Sequence, residues 1–130
     1  MNGNIKILLV EDSLINQKVL GHMVDALGSA SLEAVESGEE ALDRLRRESF
    51  DLVIMDMQLD GMRGTEAISE IRKRKGEATS AHVPVVVLSG YSDPQKEQEA
   101  KEAGADQYLL KPLTVEDLQE LLAAVRSMTV

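Results

Sequence analysis

The stretch "LVIMDMQLDGMRG", residues 52–64, runs an unbroken apolar segment of Leu52, Val53, Ile54 and Met55 straight into an acid, Asp56. Short, nearly continuous apolar runs are expected of parallel strands covered on both faces, because neither face meets water. A carboxylate at the tip of such a strand needs a use at that end of the sheet. Gly61 and Gly64 follow close behind and give the chain freedom to turn into the next element. Two further runs have the same character, "IKILLV" (5–10) and "VPVVVL" (83–88). "ASLEAV" (30–35) alternates instead, with Ser31 and Glu33 on one side, which is the pattern of an edge strand. "QYLL" (107–110) supplies a fifth strand.

Helical spacing fills the intervals. Val19, Leu20, Met23, Val24 and Leu27 recur on one face, and Gly28 follows as a stop. Val115, Leu118, Leu121, Leu122 and Val125 do the same near the end, where Thr114 caps the start and Asp117 stands three residues on, the capping-box position. Shorter helices are expected at about 38–47, 65–75 and 93–103, the last opening on Ser92-Asp93-Pro94. That helix has only Ala100 and Ala103 as apolar anchors, so it is expected to be the most weakly held. "KRKGEATSAH" (73–82) reads mostly as loop. Strict alternation of strand and helix predicts an α/β chain folded as a three-layer sandwich with right-handed crossovers.

Composition narrows the partners. A chain of 130 residues is expected to form one domain, residues 1–130, around one core. Aromatics are only 2 % of the chain, so the core is aliphatic and Met-filled and a base-stacking platform is excluded. A formal charge of −9 repels phosphate backbones and anionic lipid, so neither nucleic acid nor a membrane surface is an expected partner. The absence of cysteine fits a reducing, cytoplasmic setting. No run reaches membrane-spanning length and none resembles a signal peptide.

In an open parallel sheet, ligands gather at the carboxyl ends of the strands. Here the first strand ends in Glu11-Asp12, the third in Asp56, the fourth in Ser89-Gly90 and the fifth in Lys111-Pro112. Three carboxylates, a hydroxyl and an ammonium therefore share one edge. Two carboxylates about 4 Å apart repel by roughly 4 kcal/mol at an effective dielectric near 20, so three of them call for a cation or raised pKa values. A hard divalent ion such as Mg²⁺ (or Mn²⁺) resolves this with a few carboxylates, waters and a phosphate oxygen. Lys111 adds a fixed positive charge and Ser89 a hydrogen-bond donor, which together describe a phosphoryl site. Asp56, on the central strand, is the natural nucleophile, forming an acyl phosphate.

The set Glu11-Asp12, Asp56, Ser89 and Lys111-Pro112, with Tyr108 three residues before the lysine, resembles a response-regulator receiver domain over essentially the whole chain. "LLVEDSLINQKVLGHMVDALG" (8–28) and "MDMQLDGMRGTEAISEIR" (55–72) are most similar to receiver modules of hybrid sensor histidine kinases. The resemblance implies a flavodoxin-like (βα)5 fold, doubly wound, with strand order 2-1-3-4-5. It implies that Asp56 takes a phosphoryl group from a phosphohistidine, with self-catalysed phosphorylation and dephosphorylation. Glu11, Asp12 and Asp56 would hold the metal, completed by the backbone carbonyl of Gln58. Ser89 would bond the phosphoryl oxygens, Lys111 would pair with them, and Tyr108 would rotate inward as the readout. The bond before Pro112 would be cis. Leu14 and Ile15, with Pro112, would form the face that docks a histidine kinase or histidine phosphotransfer domain. A monomer is expected, standing alone or as the cytoplasmic part of a membrane sensor kinase.

The chain departs from the family pattern at two positions in the loop after Asp56 and at one after the first strand. Asp60 stands where many members have proline, Arg63 where they have aspartate, and Ser13 where hybrid-kinase receivers commonly have asparagine. Three other readings compete. An aspartyl-phosphate phosphohydrolase generally needs an acid two residues after the nucleophile, and that position is Gln58. A nucleotide- or flavin-binding domain needs a glycine- or hydroxyl-rich turn after the first strand, where this chain has "VEDSLIN". A degenerate receiver serving only as a docking surface is at odds with the intact acid set. His22 and His82 read as surface residues, too isolated to ligate a metal.

Overall fold

The computed structural model describes residues 4–57, 62–74 and 76–128. Strands and helices alternate as β1 (Ile5–Val10), α1 (Leu14–Leu27), β2 (Ala30–Val35), α2 (Gly38–Arg47), β3 (Leu52–Asp56), α3 (Gly64–Lys73), β4 (Val85–Ser89), α4 (Pro94–Ala103), β5 (Gln107–Leu110) and α5 (Val115–Met128). All neighbouring strands pair in parallel in the order β2-β1-β3-β4-β5, so the expected fold class and strand order both hold. The alternating strand, β2, is indeed at an edge, and its Glu33 is held by Lys6 (3.4 Å) and Arg44 rather than left to solvent.

Period-two alternation along buried strands sends side chains to two separate cores. Leu8, Val10, Val53, Met55, Val85 and Val87 face Leu42, Leu45, Ile68, Ile71 and Ala100 beneath α2, α3 and α4. Ile7, Leu9, Ile54, Val86 and Leu88 face Leu20, Val24, Leu118 and Leu122 beneath α1 and α5. Three layers result.

Helix ends follow the local chemistry. Ser13 caps α1 by accepting from the Asn16 amide (3.3 Å), and Gly28 ends it in the left-handed region at φ 71°, its amide on the Val24 carbonyl. Thr114 and Asp117 close a reciprocal capping box at α5, each side chain accepting from the other's amide at 3.0 and 3.1 Å, so the shorter acid suffices.

Two boundaries differ from the sequence reading. Strand β4 begins at Val85, not 83, because the Val83 amide bonds the Ser80 carbonyl in a turn and Pro84 has no amide to offer the ladder. Helix α3 ends at Lys73, two residues early, where Arg74 turns extended and its guanidinium bonds the Leu42 carbonyl (3.4 Å) and Glu77 (2.9 Å). The stretch after it is a tether for α2. Ala78 and Thr79 donate their amides to the Arg46 and Leu45 carbonyls, and the buried Thr79 hydroxyl donates to the Glu48 carbonyl while accepting from the Phe50 amide (3.0 Å). Terminal carbonyls of a helix need such partners. Among α4 residues only Ala100 is buried, so the expectation of a weakly held helix stands.

Candidate functional site

Sheet geometry delivers the candidate residues. Glu11 leaves β1 with its amide on the Val35 carbonyl (3.0 Å), and Asp56 ends β3 opposite Leu88. Ser89 ends β4 opposite Leu110, and the Lys111 amide reaches back to the Ser89 carbonyl at 2.7 Å. The Lys111–Pro112 peptide is cis, as the resemblance implied. Parallel register thus brings four strand ends to one edge.

Carboxylate oxygens of Glu11, Asp12 and Asp56 all lie within 4.8 Å of one another, with Glu11 and Asp56 buried and Asp12 exposed. The Lys111 ammonium stands 3.1 Å from the Asp56 carboxylate and 3.4 Å from that of Glu11. Burial pushes the Glu11 carboxyl above its ordinary range, helped by the Asp56 charge and opposed by the Ser13 amide and by Lys111. Burial alone would lower the Lys111 ammonium, but its hydrogen bond and attraction to Asp56, then Glu11, hold it above its ordinary value. These hard oxygen donors suit a divalent ion of the Mg²⁺ kind.

Supporting contacts come from Ser13 and from a position the sequence analysis did not name, Gln17. The Ser13 amide donates to the Glu11 carboxylate (3.1 Å) and the Gln17 side chain donates to the Glu11 carbonyl (2.6 Å), fixing the acid from the first turn and a half of α1. The only prior signal for Gln17 was a polar residue on a helix face turned toward the strand end. Gly64 also has a sharper reason than turn flexibility. A Cβ there would lie 3.2 Å from the Asp56 carbonyl oxygen, so α3 starts in contact with the Asp56 backbone. At Gly90 a Cβ would meet nothing within 4 Å, which leaves the approach beside Ser89 open.

Ser89 and Tyr108 meet through an atom that no sequence pattern marks. The Ser89 hydroxyl donates to the Tyr91 carbonyl at 3.0 Å, and the half-buried Tyr108 hydroxyl donates to the same carbonyl at 3.5 Å. Leu14 and Ile15 are 62 % and 74 % exposed, which rules out the core as their destination. Val19, also exposed, lines a groove of about 100 Å³ together with Leu20, Met23, Pro112 and Leu113, and Glu11 and Lys111 line the same groove. Gln58, expected to offer its carbonyl, lies outside the described residues, as do Asp60 and Gly61. His22 and His82 are both exposed, His82 in a loop, and neither joins the acids. No helix among the described residues is long and apolar enough to cross a membrane.

Comparison with known proteins agrees with this arrangement. The family model described as the response regulator receiver domain matches residues 7–123. The chain is 30% identical over 122 residues to the chemotaxis protein CheY-3 of Vibrio cholerae, covering 94% of this chain and 92% of that one. It is 31% identical over 117 residues to the sensor protein GacS of Pseudomonas syringae, covering 90% of this chain and 13% of the relative. Of several such curated relatives it therefore spans only a small part. Among solved structures, the receiver domain of a sensor histidine kinase from Pseudomonas aeruginosa, with a magnesium ion in its active-site cleft, superposes with a TM-score of 0.82 at 30% identity, covering 94% and 97% of the two chains.

Proposed function

This chain belongs to the response regulator receiver domain family of two-component systems, and from that premise we propose that Asp56 is its phosphoacceptor, loaded from a phosphohistidine in a Mg²⁺-dependent reaction. The observation that carries the reading is the convergence of three carboxylates within 4.8 Å beside an ammonium 3.1 Å from Asp56. A carboxylate oxygen of Asp56 attacks phosphorus, the P–N bond breaks, and its electron pair returns to the imidazole nitrogen, which takes up a proton. Glu11, Asp12 and Asp56, with the Gln58 carbonyl, would hold Mg²⁺, which neutralises charge on the phosphoryl oxygens when bound. Mn²⁺, with the same preference for oxygen ligands, would substitute. Lys111 exchanges its attraction to Asp56 for one to the phosphoryl oxygens, and the Ser89 hydroxyl turns from the Tyr91 carbonyl to a phosphoryl oxygen. Tyr108, which shares that carbonyl, then reports the change. Later attack of water on phosphorus restores the carboxylate.

The donor is a histidine kinase or histidine phosphotransfer domain whose phosphohistidine-bearing helix lies on the α1 face. Leu14, Ile15, Val19 and Pro112 offer it apolar contact, and the groove that Val19 and Pro112 line is also lined by Glu11 and Lys111, beside which the phosphohistidine would sit. A single domain over 1–130, monomeric and cytoplasmic, belongs to the same reading.

Intact-mass measurement after incubation with Mg²⁺ and acetyl phosphate tests it. One added phosphoryl group is expected on the native chain, and none on Asp56→Asn or in excess chelator. Equal labelling of both proteins, or none on the native chain, would overturn the assignment.

A further inference from the structure

We infer that Arg72 pins the carboxyl end of α4, making it the pivot of the switch, so that phosphorylation displaces the segment 90–99 and leaves 100–106 in place. The inference rests on the acceptor role proposed for Asp56 and adds the mechanical element that shapes the response.

Arg72 sits on the last turn of α3, with its side chain mostly buried. Its guanidinium donates from Nε and Nη2 to the Gly104 carbonyl (3.0 and 2.7 Å), and from Nη1 to the Ala81 and Val83 carbonyls (2.8 and 2.6 Å). The remaining donor reaches the Asp106 carboxylate at 3.0 Å. A planar fork loses little freedom in satisfying several acceptors at once, which suits it to hold three backbone segments together. The stem of the same side chain fills the space where a side chain at 104 would go. A Cβ on Gly104 would lie 2.7 Å from Arg72 Cγ, and the residue has φ +121°.

The joint continues into the sheet. Asp106 accepts from the Val85 amide (2.8 Å) and donates its own amide to the Val85 carbonyl (2.8 Å). Ala100 is fully buried, and Ala103 and Ala105 pack against the same core. Every apolar anchor of α4 is therefore in its last turn.

The amino end is built differently. None of residues 94–99 is buried, and the Asp93 cap bonds go to Gln95 and Lys96 of the helix itself. The approach to this end runs through the Tyr91 carbonyl, which accepts from Ser89 and Tyr108. A serine hydroxyl has one proton to donate, so it cannot serve the Tyr91 carbonyl and a phosphoryl oxygen together. Phosphorylation thus withdraws a tie from the amino end alone, and a perturbation moves an equilibrium only where its contacts differ between states. Local opening is easiest where apolar burial is least. A stiff carboxyl end and a compliant amino end make a pivoting helix.

Hydrogen exchange read by mass spectrometry on the full chain, in Mg²⁺ with and without acetyl phosphate, tests the pivot. In the native protein the phosphodonor is expected to change exchange in 90–99 and to leave 100–106 unchanged. Arg72→Gln is expected to raise exchange in 100–106 about tenfold or more without any phosphodonor, and to let the phosphodonor effect spread into that segment. Thr79→Val, which weakens the fold elsewhere, is expected to keep the effect confined, separating a pivot from general loss of stability. A phosphodonor effect in native 100–106 equal to that in 90–99 would overturn the inference, as would native-like protection of 100–106 in Arg72→Gln or equal spreading in Thr79→Val. Intact mass measured in parallel separates the two claims: no mass gain refutes the acceptor reading and the pivot with it, whereas a gain accompanied by movement of 100–106 refutes the pivot alone.

Discussion

Replacing Lys111 with methionine removes the fixed cation from the acidic edge while keeping a stem of similar length. Its ammonium lies 3.1 Å from Asp56 and 3.4 Å from Glu11, and at an effective dielectric near 20 each attraction is about 5 kcal/mol before desolvation. The side chain is 28% exposed, so water screens part of that gross figure. Removing one partner of a fully buried pair costs about 3–5 kcal/mol and an exposed one under about 1 kcal/mol. A loss of about 2 kcal/mol is therefore expected in chelator. The three carboxylates left behind repel one another, so a divalent ion gains more by binding the variant. Saturating Mg²⁺ is expected to recover at least about 1.4 kcal/mol of the loss, equivalent to roughly tenfold tighter binding. The loss also shrinks in acid. Glu11 has a raised folded pKa, so its protonated form contributes stability that is fully present below its ordinary pKa and is lost as pH rises through the folded value. Lys111→Met raises that pKa further by removing a group that lowers it. Urea denaturation of native and variant protein, in chelator and in Mg²⁺, from pH 4 to pH 8 reads all three effects. A variant as stable as native in chelator, or stabilised by Mg²⁺ no more than native, would refute the reasoning.

Other perturbations report on the frame around the site. Thr79→Val leaves the Phe50 amide and Glu48 carbonyl without their buried partner and is expected to cost about 2 kcal/mol in urea denaturation, with Thr79→Ser losing much less. Asp117→Ala opens the capping box at α5 and is expected to cost about 1 kcal/mol by the same measure. Gly64→Ala pushes a methyl against the Asp56 carbonyl and is expected to slow phosphorylation from acetyl phosphate, measured by intact mass, while circular dichroism stays native.

Strand and helix alternation, and the polar residue at each strand end, were legible because buried parallel strands have little freedom in composition. An apolar run ending in an acid points to a ligand site once three sister strands also end in polar groups. The start of β4 was misjudged because Val83 is buried like a strand residue while its amide is spent in a turn, and periodicity cannot see a hydrogen bond. The segment after α3 is loop, as its composition indicated, but what it does there was not legible. Its polar composition hides Thr79, which is buried and ties α2 to the chain beyond it. Backbone acceptors are similarly silent in a sequence: the Tyr91 carbonyl joins Ser89 to Tyr108, and the Gly104 carbonyl joins Arg72 to α4. Arg63 was singled out as unusual, and its amide donates to the Glu66 carboxylate at the start of α3 (3.2 Å), a role its side chain does not determine.

The central claim is that one carboxylate, Asp56, carries the phosphoryl group. An acyl phosphate is reduced by borohydride to the alcohol, which converts the labelled aspartate to homoserine while free carboxylates are untouched. After loading with acetyl phosphate and Mg²⁺, reduction and peptide mapping are predicted to find homoserine at position 56 alone. Homoserine at Asp12, at another acid, or nowhere in a chain that has gained a phosphoryl group would contradict the account.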